Sequence, residues 1–255
     1  MDTIFRHEAA CNNADIPGGR QALSLRGTPV GWVTPSVLAL LGGSDLTDLR
    51  PAAAALVQAG LCRYRNEAFD VRATPDGPAL GTVDRGALPA LGLLAQGVHL
   101  NGLVRRADGP WLWVAKRAAN KTLDPGKLDH LAAGGVSSGM TPWATLLKEA
   151  AEEAALPEAL MRLAKPAGHV DYAMARPEGL RRDRLYIYDL WLPESFVPHP
   201  ADGEAEWFEL WPLRGVLERV RRTDEFKFNV NLVLIGLFRR LGLLNPAVTL
   251  QAAPL

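Results

Sequence analysis

Glu149, Glu152 and Glu153 stand at i, i+3 and i+4. On an α-helix that spacing puts all three carboxylates on one face, a turn apart. Like charges so placed weaken a helix slightly, and a bound cation relieves the conflict; hard oxygen donors suit magnesium or manganese. Taken alone, such a run is more often a solvated charged face. The segment ahead of it, Gly134-Gly135-Val136-Ser137-Ser138-Gly139-Met140, shifts the balance. Where side chains are missing at Gly134, Gly135 and Gly139, backbone can come close to a metal or a phosphate. Loop and acidic face together predict a metal site that handles a phosphorus compound, with Glu149, Glu152 and Glu153 as ligands.

That chemistry has further requirements. A phosphorus compound carries negative oxygens, which a divalent cation screens. Basic groups should hold the phosphates, and Lys116, Arg117, Lys121 and Lys127 lie just before the glycine loop. Each also reads as a solubilising loop charge. Glu204 and Glu206 precede the aromatic pair Trp207-Phe208 and offer a further acidic ligand.

The elements that must position these residues can be read from the pattern. Thr141 as cap and Pro142 at the first helical position predict a helix from Thr141 to Ala155. His99 to Arg106 and Trp111 to Lys116 flank an Ala107-Asp108-Gly109-Pro110 turn and read as a hairpin. A long loop is expected from Ala118 to Gly139. Strands are expected at 168–175, 184–192 and 206–210, and helices at 213–221 and 228–241. The interleaving predicts an α/β fold, an α/β/α sandwich around a mixed sheet over residues 96–246. Residues 1–95 read as a small N-terminal α+β domain that packs against or lids its neighbour, with strands at 22–26 and 30–33, a short helix after Pro35 and another at 51–60. Residues 247–255 form a tail.

The glycine loop and acidic helix resemble the Nudix hydrolase box. Gly134 matches its opening glycine, Glu149 its first helical glutamate, Glu152 and Glu153 its paired glutamates and Leu156 its closing apolar position. Met140, Lys148 and Ala155 depart from it, replacing glutamate, arginine and glycine. The resemblance implies that Glu152 and Glu153 are the main metal ligands, that Glu149 assists the attacking water or acts as general base, and that Lys148 orients it. With Met140 in place of a carboxylate, fewer or weaker metal sites are expected, and Met140→Glu should tighten metal binding. Glu153→Gln, taken as an exposed helical position, should abolish hydrolysis with little loss of folding.

The stretches 126–131, 178–183 and 223–229 are similar to a Nudix subfamily with an extra N-terminal domain, related to the Nudix portion found with thiamine pyrophosphokinase in fungal fusion proteins. This implies hydrolysis of thiamine diphosphate, or an oxidised analogue, to the monophosphate. Nudix domains commonly dimerise, so a homodimer stays open. Two other readings compete: a module that binds a nucleotide or cofactor without cleaving it, and an isopentenyl diphosphate isomerase, which would need a cysteine in the Nudix-like region.

Composition sets the outer bounds. The chain has 255 residues, with 28 basic and 28 acidic side chains. No global field draws nucleic acid or an anionic membrane surface, so neither is expected as a partner. The two cysteines, Cys11 and Cys62, have no metal-ligand spacing, which fits a reducing, cytoplasmic setting. His99, His130 and His169 form no i, i+4 pair and read as structural. Trp111, Trp113, Trp191, Trp207 and Trp211 read mostly as core or contact residues, with one or two available to stack on a substrate ring.

Overall fold

The computed structural model describes residues 3–244, so the expected tail lies outside the described residues. A 3-10 turn, Thr3–Phe5, leads into α1 (Arg6–Cys11). Next come β1 (Gln21–Leu25), β2 (Thr28–Val33), α2 (Pro35–Leu41), β3 (Asp45–Leu46), α3 (Arg50–Gln58), β4 (Ala68–Val71), β5 (Gly81–Asp84) and α4 (Leu88–Leu91). The remainder runs β6 (Leu94–Arg106), β7 (Gly109–Arg117), β8 (Leu128–Asp129), β9 (Ala132–Gly135), α5 (Pro142–Ala154), α6 (Glu158–Met161), β10 (Lys165–Arg176), β11 (Gly179–Leu192), β12 (Ala205–Pro212), α7 (Leu213–Arg222) and α8 (Phe228–Arg240).

The main sheet has the order β10-β11-β6-β7-β12, with β8 on β7 and β9 on β6. It is mixed, because β6 runs parallel to β11 and antiparallel to β7 and β9. One face buries Val98, Leu100 and Val104 with Leu146, Ala150 and Ala154 of α5. The other packs Leu103, Leu112 and Val114 against α7 and α8 through Val216, Leu217, Leu234 and Phe238. This is the expected α/β/α arrangement. Strand β6 is the pivot: Gly97 to Leu100 pair with β9, and Leu103 to Arg106 with β7.

The predicted structureless run from Ala118 to Gly139 is corrected, since it contains β8 and β9. Ala132-Ala133-Gly134-Gly135 has neither branched nor aromatic side chains, so nothing in its composition signals a strand. Its pairing with β6 makes it one.

A second apolar cluster draws on residues between Leu23 and Leu93, among them Val33, Leu49, Leu56, Phe69 and Val83. Helix α1 packs elsewhere, against α8 and β10. The hairpin of β4 and β5 leans on the glycine strand. Ser138 N–H donates to the Ala68 carbonyl (2.7 Å), Ser138 Oγ to Asp70 (2.7 Å) and Ser137 Oγ to Glu67 (2.6 Å).

Candidate active site

Helix α5 begins where its cap predicts: Thr141 Oγ1 accepts from the Ala144 N–H at 3.1 Å. Its apolar face seats on the sheet and turns Glu149 and Glu153 toward β9. Glu149 passes directly over Gly134, where a Cβ would stand 2.4 Å from its Cδ. Any larger residue at 134 would displace it. One turn on, Glu153 Oε2 accepts from the Ala133 N–H at 2.9 Å. Glu153 is therefore not the exposed position expected of it. Glu152 is exposed, and Lys148 ties it (2.7 Å) to Glu149 (3.3 Å).

The charges here are crowded. Burial pushes the Glu153 carboxyl well above the usual range, the Ala133 N–H opposes it, and Asp129, Glu149 and Glu204 push it further. Burial likewise raises Glu149 against the pull of Lys148. Burial would raise the Glu204 carboxyl, but its ion pair with Lys121, and then Glu153 and Arg117, hold it below its ordinary value. Among the described residues Lys148 pairs with Glu149 and Glu152, and Lys121 with Glu204. The donor set, all hard oxygens, and the clearance at Gly134 fit a divalent cation.

These groups open onto a cleft of about 970 Å³, lined by Arg117, Lys121, Gly134, Gly135, Lys148, Glu149, Glu152 and Glu204. A chamber of about 20 Å³, the size of a single water or ion, adjoins it between Arg117, Asp129, His130, Glu153, Glu204 and Phe208. The opposite wall comes from the N-terminal region, with Arg63, Arg65, Glu67, Phe69 and Arg85. Further along lie Arg176, Glu178, Arg181, Asp183, Lys227 and Asn229. Asn229 is buried, 7% exposed, and its Oδ1 has no hydrogen-bond partner.

Among the described residues, the potential ligand atoms that lie within 4.8 Å of one another are those of His99, Asp129 and His130. His99 Nδ1 and His130 Nδ1 are 2.9 Å apart, so one donates to the other. Arg117 (2.8 Å) and Lys227 (3.7 Å) already neutralise Asp129. Burial alone would raise its carboxyl, but Lys227, Arg117 and the two histidines hold it far below the usual range. Burial lowers His130 to about 4 and His99 well below its ordinary value. Two cations beside the carboxylate make this a hydrogen-bonded brace under the cleft floor, a poorer cation site than the glutamate face.

Not every residue singled out in the sequence reaches the cleft. Lys127 Nζ donates to the Asp224 carbonyl. Glu206 accepts from the Ala119 N–H (3.2 Å) and pairs with Lys116 (3.5 Å). Gly139 turns the chain into α5 with a φ of +78°. Met140 packs on the apolar cluster under α5 and is absent from the cleft lining, so it is not the missing carboxylate position it resembled. None of Trp111, Trp113, Trp191, Trp207 and Trp211 lines the cleft; its aromatic ring is Phe69. Sequence reasoning passed over Arg63, Arg65 and Arg85, which sit far from the motif in sequence.

Comparison with known proteins agrees with this geometry. The chain is 40% identical over 182 residues to Nudix hydrolase 20, chloroplastic, of Arabidopsis thaliana, covering 71% of this chain and 49% of that one. It is also 40% identical to Nudix hydrolase 24, chloroplastic, of the same plant, covering 71% and 50%. The chain thus spans about half the length of these curated relatives. Its fold is similar to the crystal structure of DR0079 from Deinococcus radiodurans, with a TM-score of 0.51, 21% identity and coverage of 68% of this chain and 98% of that one. The NUDIX domain family model matches residues 96–228, more than half of the chain, and the chain belongs to that family.

Proposed function

We propose that this protein is a metal-dependent hydrolase that cleaves the diphosphate bond of a small molecule. The observation that carries the reading is a cleft that presents Glu149, Glu152 and Glu204 beside Arg117, Lys121 and Lys148, with Glu153 and Glu204 lining the small chamber next to it. Glu149, Glu153 and Glu204 would hold the cation, with Glu152 at its edge. Bound there, magnesium or manganese would supply charge screening for the phosphates and acidify water.

The chain's own groups do the rest. The Ala133 N–H fixes the Glu153 carboxylate. Glu149, fixed over Gly134 and beside Lys148, is placed to take the proton released by the attacking water. Lys148 ties Glu149 and Glu152 together and orients them, as a point charge without the fork of arginine. Arg117 and Lys121 hold Asp129 and Glu204 in place beside the cleft.

For the substrate, we propose thiamine diphosphate or an oxidised analogue, converted to the monophosphate. Two of the stretches similar to the thiamine-linked subfamily supply cleft residues: Glu178, Arg181 and Asp183 from one, Lys227 and Asn229 from the other. The test is release of phosphate or monophosphate from thiamine diphosphate, its oxidised analogue, ADP-ribose, NADH and a nucleoside triphosphate, with magnesium, manganese or chelator. Metal-dependent turnover of a thiamine compound supports the reading. Turnover of another compound alone overturns the substrate, and metal binding without any turnover favours a binding module.

A further inference from the structure

The cleft's cations are unequal. Arg85 pairs with Glu67 (2.8 Å), Arg117 with Asp129 (2.8 Å), and Lys148 with Glu152 (2.7 Å). Lys121 is tied to Glu204, Lys227 lies 3.7 Å from Asp129, and Arg176 and Arg181 share Glu178 at 3.1 and 3.0 Å. Each of these charges is already answered by a carboxylate. Arg63 and Arg65 are different. Both are exposed on the loop between α3 and β4, both line the cleft, and among the described residues neither guanidinium has a carboxylate partner. Arg65 reaches only the neutral Thr122 Oγ1, at 3.2 Å.

Their loop is held in place. The Asp84 carboxylate accepts from the Arg65 N–H (3.0 Å) and the Gly86 N–H (2.8 Å). The Arg63 carbonyl lies so close to Gly86 that a Cβ there would fall 1.8 Å from it. Beside it, Arg85 covers the Phe69 ring at 5.6 Å, and Phe69 abuts Gly135, where a Cβ would be 2.5 Å from Cζ. A continuous packed path therefore runs from the loop through Phe69 and Gly135 to Gly134 and Glu149.

We propose that Arg63 and Arg65 form an anion subsite for the substrate's diphosphate, making the N-terminal region a working wall of the active site. This rests on the diphosphate hydrolase reading above. A diphosphate brings more negative charge than the cleft's paired cations can answer, and unpaired guanidinium groups meet it without first surrendering a carboxylate. Their planar forks match phosphate oxygens two at a time. Giving up Thr122 costs Arg65 only a neutral contact.

The test uses calorimetric titration of the full chain with imidodiphosphate, a P–N–P analogue of the diphosphate group, in the presence of magnesium. The Arg63→Ala/Arg65→Ala double variant should bind at least tenfold more weakly than wild type, the double lysine variant should recover part of the loss, and Arg214→Ala, a control at an exposed residue away from the cleft, should bind as wild type. On any diphosphate the enzyme turns over, the double alanine variant should raise KM at least tenfold with kcat within threefold. Equal affinity in wild type and double alanine variant overturns the proposal, as does absence of binding to wild type or equal loss in Arg214→Ala. Binding that depends on the two arginines while no diphosphate is hydrolysed would defeat the hydrolase reading and leave this subsite standing.

Discussion

The Glu149 side chain crosses the α-carbon of Gly134 so closely that a methyl group built there would lie 2.4 Å from Cδ and 2.8 Å from Oε1. Gly134 does not lie in the left-handed region of backbone space, so the requirement for glycine is one of clearance alone. Gly134→Ala should therefore leave the backbone intact and push Glu149 aside. Turnover should fall at least tenfold while the melting temperature drops by only a few degrees. Unchanged kcat would show that Glu149 does not act from this position.

Glu153 gives a pH signature in the metal-free protein. Its folded-state proton affinity is raised, by burial first and then by Asp129, Glu149 and Glu204 against the Ala133 N–H. A raised carboxyl contributes stability that is fully present below the unfolded value of about pH 4.3 and is lost as pH rises through the folded value. Wild type should thus lose stability relative to Glu153→Gln as pH rises from about 4 to 8, and added magnesium should reverse the loss. Melting curves across that range check it. Glu153→Ala should behave differently, because it strands the Ala133 N–H at a cost of about 1–3 kcal/mol.

Ala155 ends α5 with φ of 51°, in the left-handed region. This is the position where the family motif has glycine, and its geometry explains the preference: an L side chain there costs about 1–2 kcal/mol. Ala155→Gly should raise unfolding free energy by about 1 kcal/mol and leave kcat and KM unchanged. Chemical denaturation and steady-state kinetics separate the two effects.

Met140 gives the opposite lesson. Its place in the motif suggests a missing metal ligand, yet its side chain packs with Trp143 and Leu147 on the apolar cluster under α5. Met140→Glu should leave metal affinity within twofold of wild type and lower stability by about 1–3 kcal/mol, the cost of putting a carboxylate against apolar neighbours. A tenfold gain in affinity in a magnesium titration would place residue 140 at the site.

What was legible in the sequence follows from how local each signal is. Helix α5 could be placed to within a residue because Thr141, Pro142 and the apolar spacing act within one element. The carboxylate face followed from helical geometry alone. Strand β9 was hidden, since its four small residues become a strand only by pairing with Gly97 to Leu100. Glu204 looked like an ordinary charge before a strand, and its approach to Glu153 depends on where β12 joins the sheet. Arg63 and Arg65 had no local mark at all; only the packing of β4 and β5 on the glycine strand carries them to the cleft. The histidines read as structural from spacing; in the structure His99 and His130 pack together beside Asp129, while His169 stands half-exposed near Asp171.

The diphosphate panel, run on wild type and Glu153→Gln with magnesium and with chelator alongside their melting curves, separates a metal-dependent hydrolase from a binding module. Wild type should show magnesium-dependent turnover, the variant at least a hundredfold less, with a fold as stable as wild type or more so, since its side chain still accepts from Ala133. Equal turnover in the variant, or turnover that survives the chelator, would contradict the metal-dependent hydrolase reading.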